Sequence, residues 1–154
     1  MKTDNDGKRA ARLHVAVTQE IFVPRSIETV FDFVAAEDVL PKILTGYGLV
    51  PGVASTSGIS GPWDQPGSHR IVHLANGSTV NEGLTDYNRP SFFAYRVSKP
   101  SFALKHLMRE ARGQFWFVPS DGGNACVPRR NSPADHIHPS KGYRVKVHAH
   151  AKAE

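Results

Sequence analysis

Cysteine is nearly absent from this chain: Cys126 is the single thiol in 154 residues. One cysteine excludes an internal disulfide and fits a reducing, cytoplasmic setting. Long hydrophobic runs are missing too. No apolar stretch approaches the ~20 residues needed to cross a bilayer, so no membrane span is expected. Met1–Arg12 has no apolar segment of the kind secretory signals carry and reads as a flexible lead-in. Complete catalytic motifs are also lacking. Gly122-Gly123 is a turn rather than a phosphate loop, and nothing places a base beside Cys126.

The formal net charge is +5, but it is unevenly spread. Residues 1–123 hold 13 Lys/Arg against 12 Asp/Glu, whereas residues 124–154 hold 6 against 2. The basic excess therefore sits at the end of the chain and reads as a solvated tail. No element interleaves aromatic and basic residues along one stripe, so nucleic acid is not an expected partner.

What is present is an order of elements. Leu13–Val23 alternates apolar odd positions with small or polar even ones, the pattern of a strand with one buried face. Pro24 stops it, and Ser26 stands where an N-cap belongs, with Glu28 in the first turn. Ile27, Val30, Phe31 and Val34 then recur at helical spacing, with Phe33 widening the stripe. Pro41–Thr45 reads as a second short helix. A meander follows: strands at Val53–Ile59, Ser68–Leu74, Thr79–Tyr87, Phe92–Val97 and Arg112–Val118. Asn76-Gly77 signals a two-residue hairpin loop between the second and third of these. Phe102–Met108 fits either a strand or one helical turn. Ser120–Gly123 is a tight turn that should launch one more hairpin strand.

Several pieces together are similar to a known family. They are Val23–Phe33, Pro66–Arg70, Asn76-Gly77 followed by Glu82, Pro90–Val97 and Gly113–Pro119. In this order and spacing they resemble the polyketide cyclase/dehydrase branch of the START-like (SRPBCC) superfamily over about residues 13–123. The resemblance implies an α+β helix-grip fold, a curved antiparallel β-sheet closing around helices over a cavity for a lipid, sterol or polyketide-like molecule.

After Gly123 the chain departs from that pattern. The family has a further strand and then a long lid helix. Here Pro128, Pro133 and Pro139 forbid a helix, and residues 124–154 read as an atypical basic, Pro- and His-rich tail. Residues 143–150 alternate well enough for an edge strand. The abrupt change at residue 124 points to a frame-shifted or divergent terminus. Without a lid helix the domain is expected to be marginal, self-associating or patched by its tail.

The expected site is the cavity. Its wall is expected from Phe31, Val34, Leu40 and Ile43 on the helices, and from Val72, Leu74, Leu84, Phe93, Tyr95, Phe115 and Phe117 on the strands. Tyr87 and Tyr95 are placed to donate a hydrogen bond to a ligand carbonyl. Glu82 alternates with Val80 and Leu84. If those face inward, its carboxyl is desolvated and suited to acid/base chemistry; in the opposite register it is solvated or paired with Arg70 or Arg96. His136, His138, His148, His150 and Cys126 invite a zinc reading, but a solvated His-rich tail accounts for them. No metal and no cofactor are expected. The sequence thus favours a binder of a small hydrophobic molecule. A cyclase/dehydrase-type enzyme using Glu82 is the first alternative. A protein–protein module or homodimer is the second.

Overall fold

Pro24 removes a ladder donor and Ser26 caps the helix behind it, so the chain turns as soon as its first strand ends. The computed structural model describes residues 13–47 and 50–136. Strand β1 (Leu13–Glu20) is followed by an isolated bridge between Val23 and Cys126, then by helix α1 (Ile27–Val34). The Ser26 hydroxyl accepts the Thr29 N–H at 3.4 Å, and Glu28 sits in the first turn. Val30 and Phe31 face inward, but Phe33 is 54 % exposed, so it does not widen the buried stripe as expected. Helix α2 (Leu40–Ile43) carries Pro41 in its first turn, where a missing N–H costs nothing.

Beyond a two-stranded ribbon, β2 (Gly46–Tyr47) and β3 (Val50–Pro51), everything is antiparallel sheet. The strands are β4 (Val53–Ser57), β5 (His69–Leu74), β6 (Thr79–Asn88), β7 (Phe92–Ser98), β8 (Met108–Ser120) and β9 (Ala125–His136). One helical turn, α3 (Leu104–Leu107), settles the ambiguous segment before β8. The main sheet has seven strands in the order β1-β9-β8-β7-β6-β5-β4. Each neighbour is the next strand in sequence, except that β1 lies beside the last strand. This is the curved helix-grip sheet of the expected α+β class.

Strand β9 corrects the expectation that the domain stops at Gly123. Residues 125–136 are no tail: they lie inside the sheet between β8 and β1. The turn at Ser120–Gly123 does launch this strand, through a 3-10 turn at Asp121–Gly123. The prolines argued against a central strand because each lacks a donor. At Pro128 the carbonyl accepts the Ile21 N–H at 3.3 Å, just past the end of β1. The donor that Pro128 lacks would point the same way, so the strand forgoes a single bond in the gap between the β1 ladder and the Val23–Cys126 bridge. The composition change at residue 124 therefore does not mark the edge of the fold. The expected edge strand at 143–150, and the lead-in before Leu13, lie outside the described residues.

Helix α1 grips the sheet through Phe31, which is fully buried. Its ring meets those of Tyr87, Phe93 and Phe117 edge-on, with centroids 5.3, 5.8 and 5.0 Å away. Such pairs contribute ~0.5–1.5 kcal/mol each beyond the burial itself. Val30, Ala35, Trp63, Leu84 and Cys126 complete this cluster. Among the described residues no helix exceeds the eight residues of α1, so none corresponds to the family's long lid helix. None is long and apolar enough to cross a membrane.

Candidate functional site

The site begins with the β5–β6 hairpin. Val80, Glu82 and Leu84 are all buried on one face of β6, so the carboxylate does point inward. It does not stand alone there. Arg70 is its direct cross-strand partner on β5, and the Arg70 Nε–H donates to Glu82 Oε2 at 2.6 Å. Both side chains are almost wholly buried. A second Arg70 nitrogen donates to the Glu37 carbonyl between α1 and α2, and the guanidinium stacks 3.9 Å above the Trp63 ring. Arg70 therefore ties sheet, helices and loop together at one point. Burial pushes the Glu82 carboxyl above its ordinary value, and the charges of Arg70 and Arg130 oppose that shift. The two sequence alternatives, inward or paired, are both realised.

A second cluster spans β7, β8 and β9. Tyr95 lies opposite Gly113. A Cβ at Gly113 would come within 2.1 Å of the Tyr95 ring, so only glycine leaves the notch in which the ring lies. One residue pair further across the sheet, Phe115 faces Arg130. The Arg130 guanidinium donates to the Tyr95 hydroxyl at 3.1 Å and lies 5.7 Å from the Phe115 ring. Its Nε is buried and has no hydrogen-bond partner.

Between these clusters and the helices lies a void of about 30 Å³. That is room for a water or two, so the protein's own side chains nearly fill the expected hollow. Of the wall residues expected from sequence, Val34, Leu40, Ile43, Leu84, Phe93, Tyr95 and Phe115 line it, as does Glu82. Phe31, Val72, Leu74, Tyr87 and Phe117 do not. Phe31 and Phe117 are spent on the aromatic core with Tyr87 packed against it, and Val72 is buried further along the sheet. Val39, Leu44, Trp63, Arg70 and Arg130 line the void without having been anticipated as wall. Trp63 and Arg130 were hidden in segments that read as a turn and a tail.

The opposite face of the sheet carries a wider, open depression of about 610 Å³ around Trp116, Val118 and Val127. Its size is that of a surface concavity. Its polar side chains are spent on one another: Arg129 is paired with Glu20, and the Thr18 hydroxyl donates to Asn131 Oδ1 at 3.5 Å. Cys126 is fully buried, and burial pushes its thiol up, away from the reactive thiolate. Among the described residues no three His, Cys, Asp or Glu side chains converge on a metal position. His138, His148 and His150 lie outside the described residues.

The seven-stranded antiparallel sheet, with helix α1 packed on its inner face, matches the helix-grip class. The chain belongs to the family described as polyketide cyclase/dehydrase and lipid transport, whose profile matches residues 14–133. That span includes most of β9. Among solved structures, Ara h 8.0201 is similar at 13 % identity, covering 84 % of this chain and 83 % of that one, with a TM-score of 0.64. Norcoclaurine synthase from Thalictrum flavum, in complex with dopamine and hydroxybenzaldehyde, is similar at 12 % identity, 81 % and 71 % coverage and a TM-score of 0.61. Major latex-like protein 151 from Panax ginseng matches at 8 % identity, 82 % of each chain and a TM-score of 0.63. At these identities the likeness is one of fold. A search of curated proteins finds no match.

Proposed function

We propose that the protein binds a small hydrophobic molecule between the concave face of its sheet and helices α1 and α2. The observation that carries this reading is the convergence of aromatic wall and polar tip at one enclosed spot, the usual composition of a small-molecule site. The family's description as lipid transport and the norcoclaurine synthase complex with two aromatic compounds support the same ligand class. A void of about 30 Å³ cannot hold such a ligand as it stands. Entry therefore requires α2 to move outward. That helix is four residues long, buries none of them and has no side-chain cap, the features of a locally labile element.

Binding rather than catalysis is the better reading, because Glu82 is already bonded by Arg70 and has no free role as a base. A thermal-shift panel of lipids, sterols and aromatic polyketide-like compounds tests the proposal. Occupancy at 100 times Kd should stabilise the fold by ~2.7 kcal/mol, a shift of several degrees. No shift with any compound class, at concentrations up to solubility, would refute it. Self-association is the second reading, favoured by the exposure of Phe22, Phe33 and Val118 at 57, 54 and 55 %. It predicts a concentration-dependent dimer in sedimentation and no ligand-induced shift.

A further inference from the structure

The void is lined by two guanidinium groups, Arg70 and Arg130, and one carboxylate, Glu82. Glu82 is neutralised by Arg70 at 2.6 Å, and among the described residues no carboxylate lies within ion-pair distance of Arg130. The buried polar tip therefore carries a formal surplus of one positive charge. Arg130 is also short of acceptors: its Nε is buried without a partner, and its described bond is to a neutral hydroxyl. A buried donor left unmet is costly, and more so on a charged group. The Tyr95 hydroxyl accepts from Arg130 and so keeps its own proton to donate elsewhere. The notch at Gly113 holds the Tyr95 ring in place for this.

We propose that Arg130 and Tyr95 form an oxyanion subsite, so that the ligand is a carboxylate on an apolar, ring- or chain-like body. This rests on the cavity reading above and names the ligand class for it. The guanidinium supplies the planar fork that matches a carboxylate, and the phenol adds one more donor. Phe93, Phe115 and Leu84 provide the apolar surface against which the body lies. Arg70 takes no part, because Glu82, Glu37 and Trp63 already occupy it.

The test titrates the full chain with 2-naphthoate, biphenyl-4-carboxylate and decanoate, each beside its methyl ester, at pH 7. The ester keeps the body and removes the charge. The expected result is that at least one acid binds ten-fold or more tighter than its ester. That ratio should fall toward one in Arg130→Gln, partly recover in Arg130→Lys and drop several-fold in Tyr95→Phe. Should Arg130→Gln fail to fold, Tyr95→Phe and Arg130→Lys report the same ratio. Esters that bind as well as their acids, or an acid preference untouched by these substitutions, would overturn the subsite and leave the cavity reading standing. If no acid and no ester binds, the subsite falls, and the thermal-shift panel of lipids, sterols and polyketide-like compounds decides the cavity reading.

Discussion

Arg70→Met removes one half of an ion pair whose side chains are 2 % and 4 % exposed, and strands Glu82 in the wall of the void. Breaking a buried pair by deleting one partner costs ~3–5 kcal/mol. Losing the guanidinium stacked on Trp63 adds ~1 kcal/mol. Against a typical domain stability of ~5–15 kcal/mol this is a large fraction. The carboxyl can reduce the penalty by holding its proton. Burial already raises it above the ordinary value of 4.5, and the variant loses the Arg70 charge that opposes the rise. Between the ordinary and the raised value the native state then binds more protons than the unfolded chain, so stability falls as pH rises through that window. Urea unfolding followed by tryptophan fluorescence at pH 5 and pH 8 measures this. The expected loss is several kcal/mol at pH 8 and clearly less at pH 5. The double variant Arg70→Met/Glu82→Leu should regain most of it. A loss below about 1 kcal/mol with no pH trend would refute the role given to this pair.

Other expectations follow from the same packing. Phe31→Ala should cost ~3–5 kcal/mol in denaturant unfolding, because it empties the centre of the aromatic cluster. Asp32 takes two bonds from Arg89 at 2.7 Å, but both side chains are 49 % exposed, so solvent screens the pair and it adds little to stability. The hydrogen bond from Arg89 holds the Asp32 carboxyl below its ordinary 3.8. Its contribution is therefore present above that value and lost as pH falls through the lowered one, and Asp32→Asn should flatten the acid limb of the stability curve. Gly113→Ala should swing the Tyr95 ring out of its notch and break its bond to Arg130, which a crystal structure of the variant would show.

Local pattern carried the elements near the start of the chain, where periodicity and caps agree. The N-cap at Ser26 and the β6 triplet Val80, Glu82 and Leu84 were both legible, and the inward face of Glu82 follows from the triplet. Its partner was harder to read. A two-residue loop at Asn76-Gly77 would have set Arg70 opposite Gly83. In the structure the Leu74 N–H bonds to the Ser78 carbonyl, Gly77 takes φ +83°, and the three-residue loop sets Arg70 opposite Glu82. One residue of loop length decides that pairing, and composition does not encode it. Arg130 was lost for a different reason. Its strand pairs on one side with β8 but on the other with residues more than a hundred positions earlier, and the prolines beside it read locally as breakers. Tyr95 was recognised as a donor, but its geometry depends on a glycine on another strand. The wall was over-assigned because Phe31, Phe117 and Tyr87 look like pocket residues until the helix is seated on them.

The central claim is that a guest molecule lodges against the inner face of the sheet. Methyl NMR of the full chain during titration with 2-naphthoate or decanoate tests it most directly. The account predicts saturable shifts at Val34, Leu40, Ile43 and Leu84, which line the void. Shifts confined to Val118 and Val127 on the opposite face, or none at saturating probe, would contradict it.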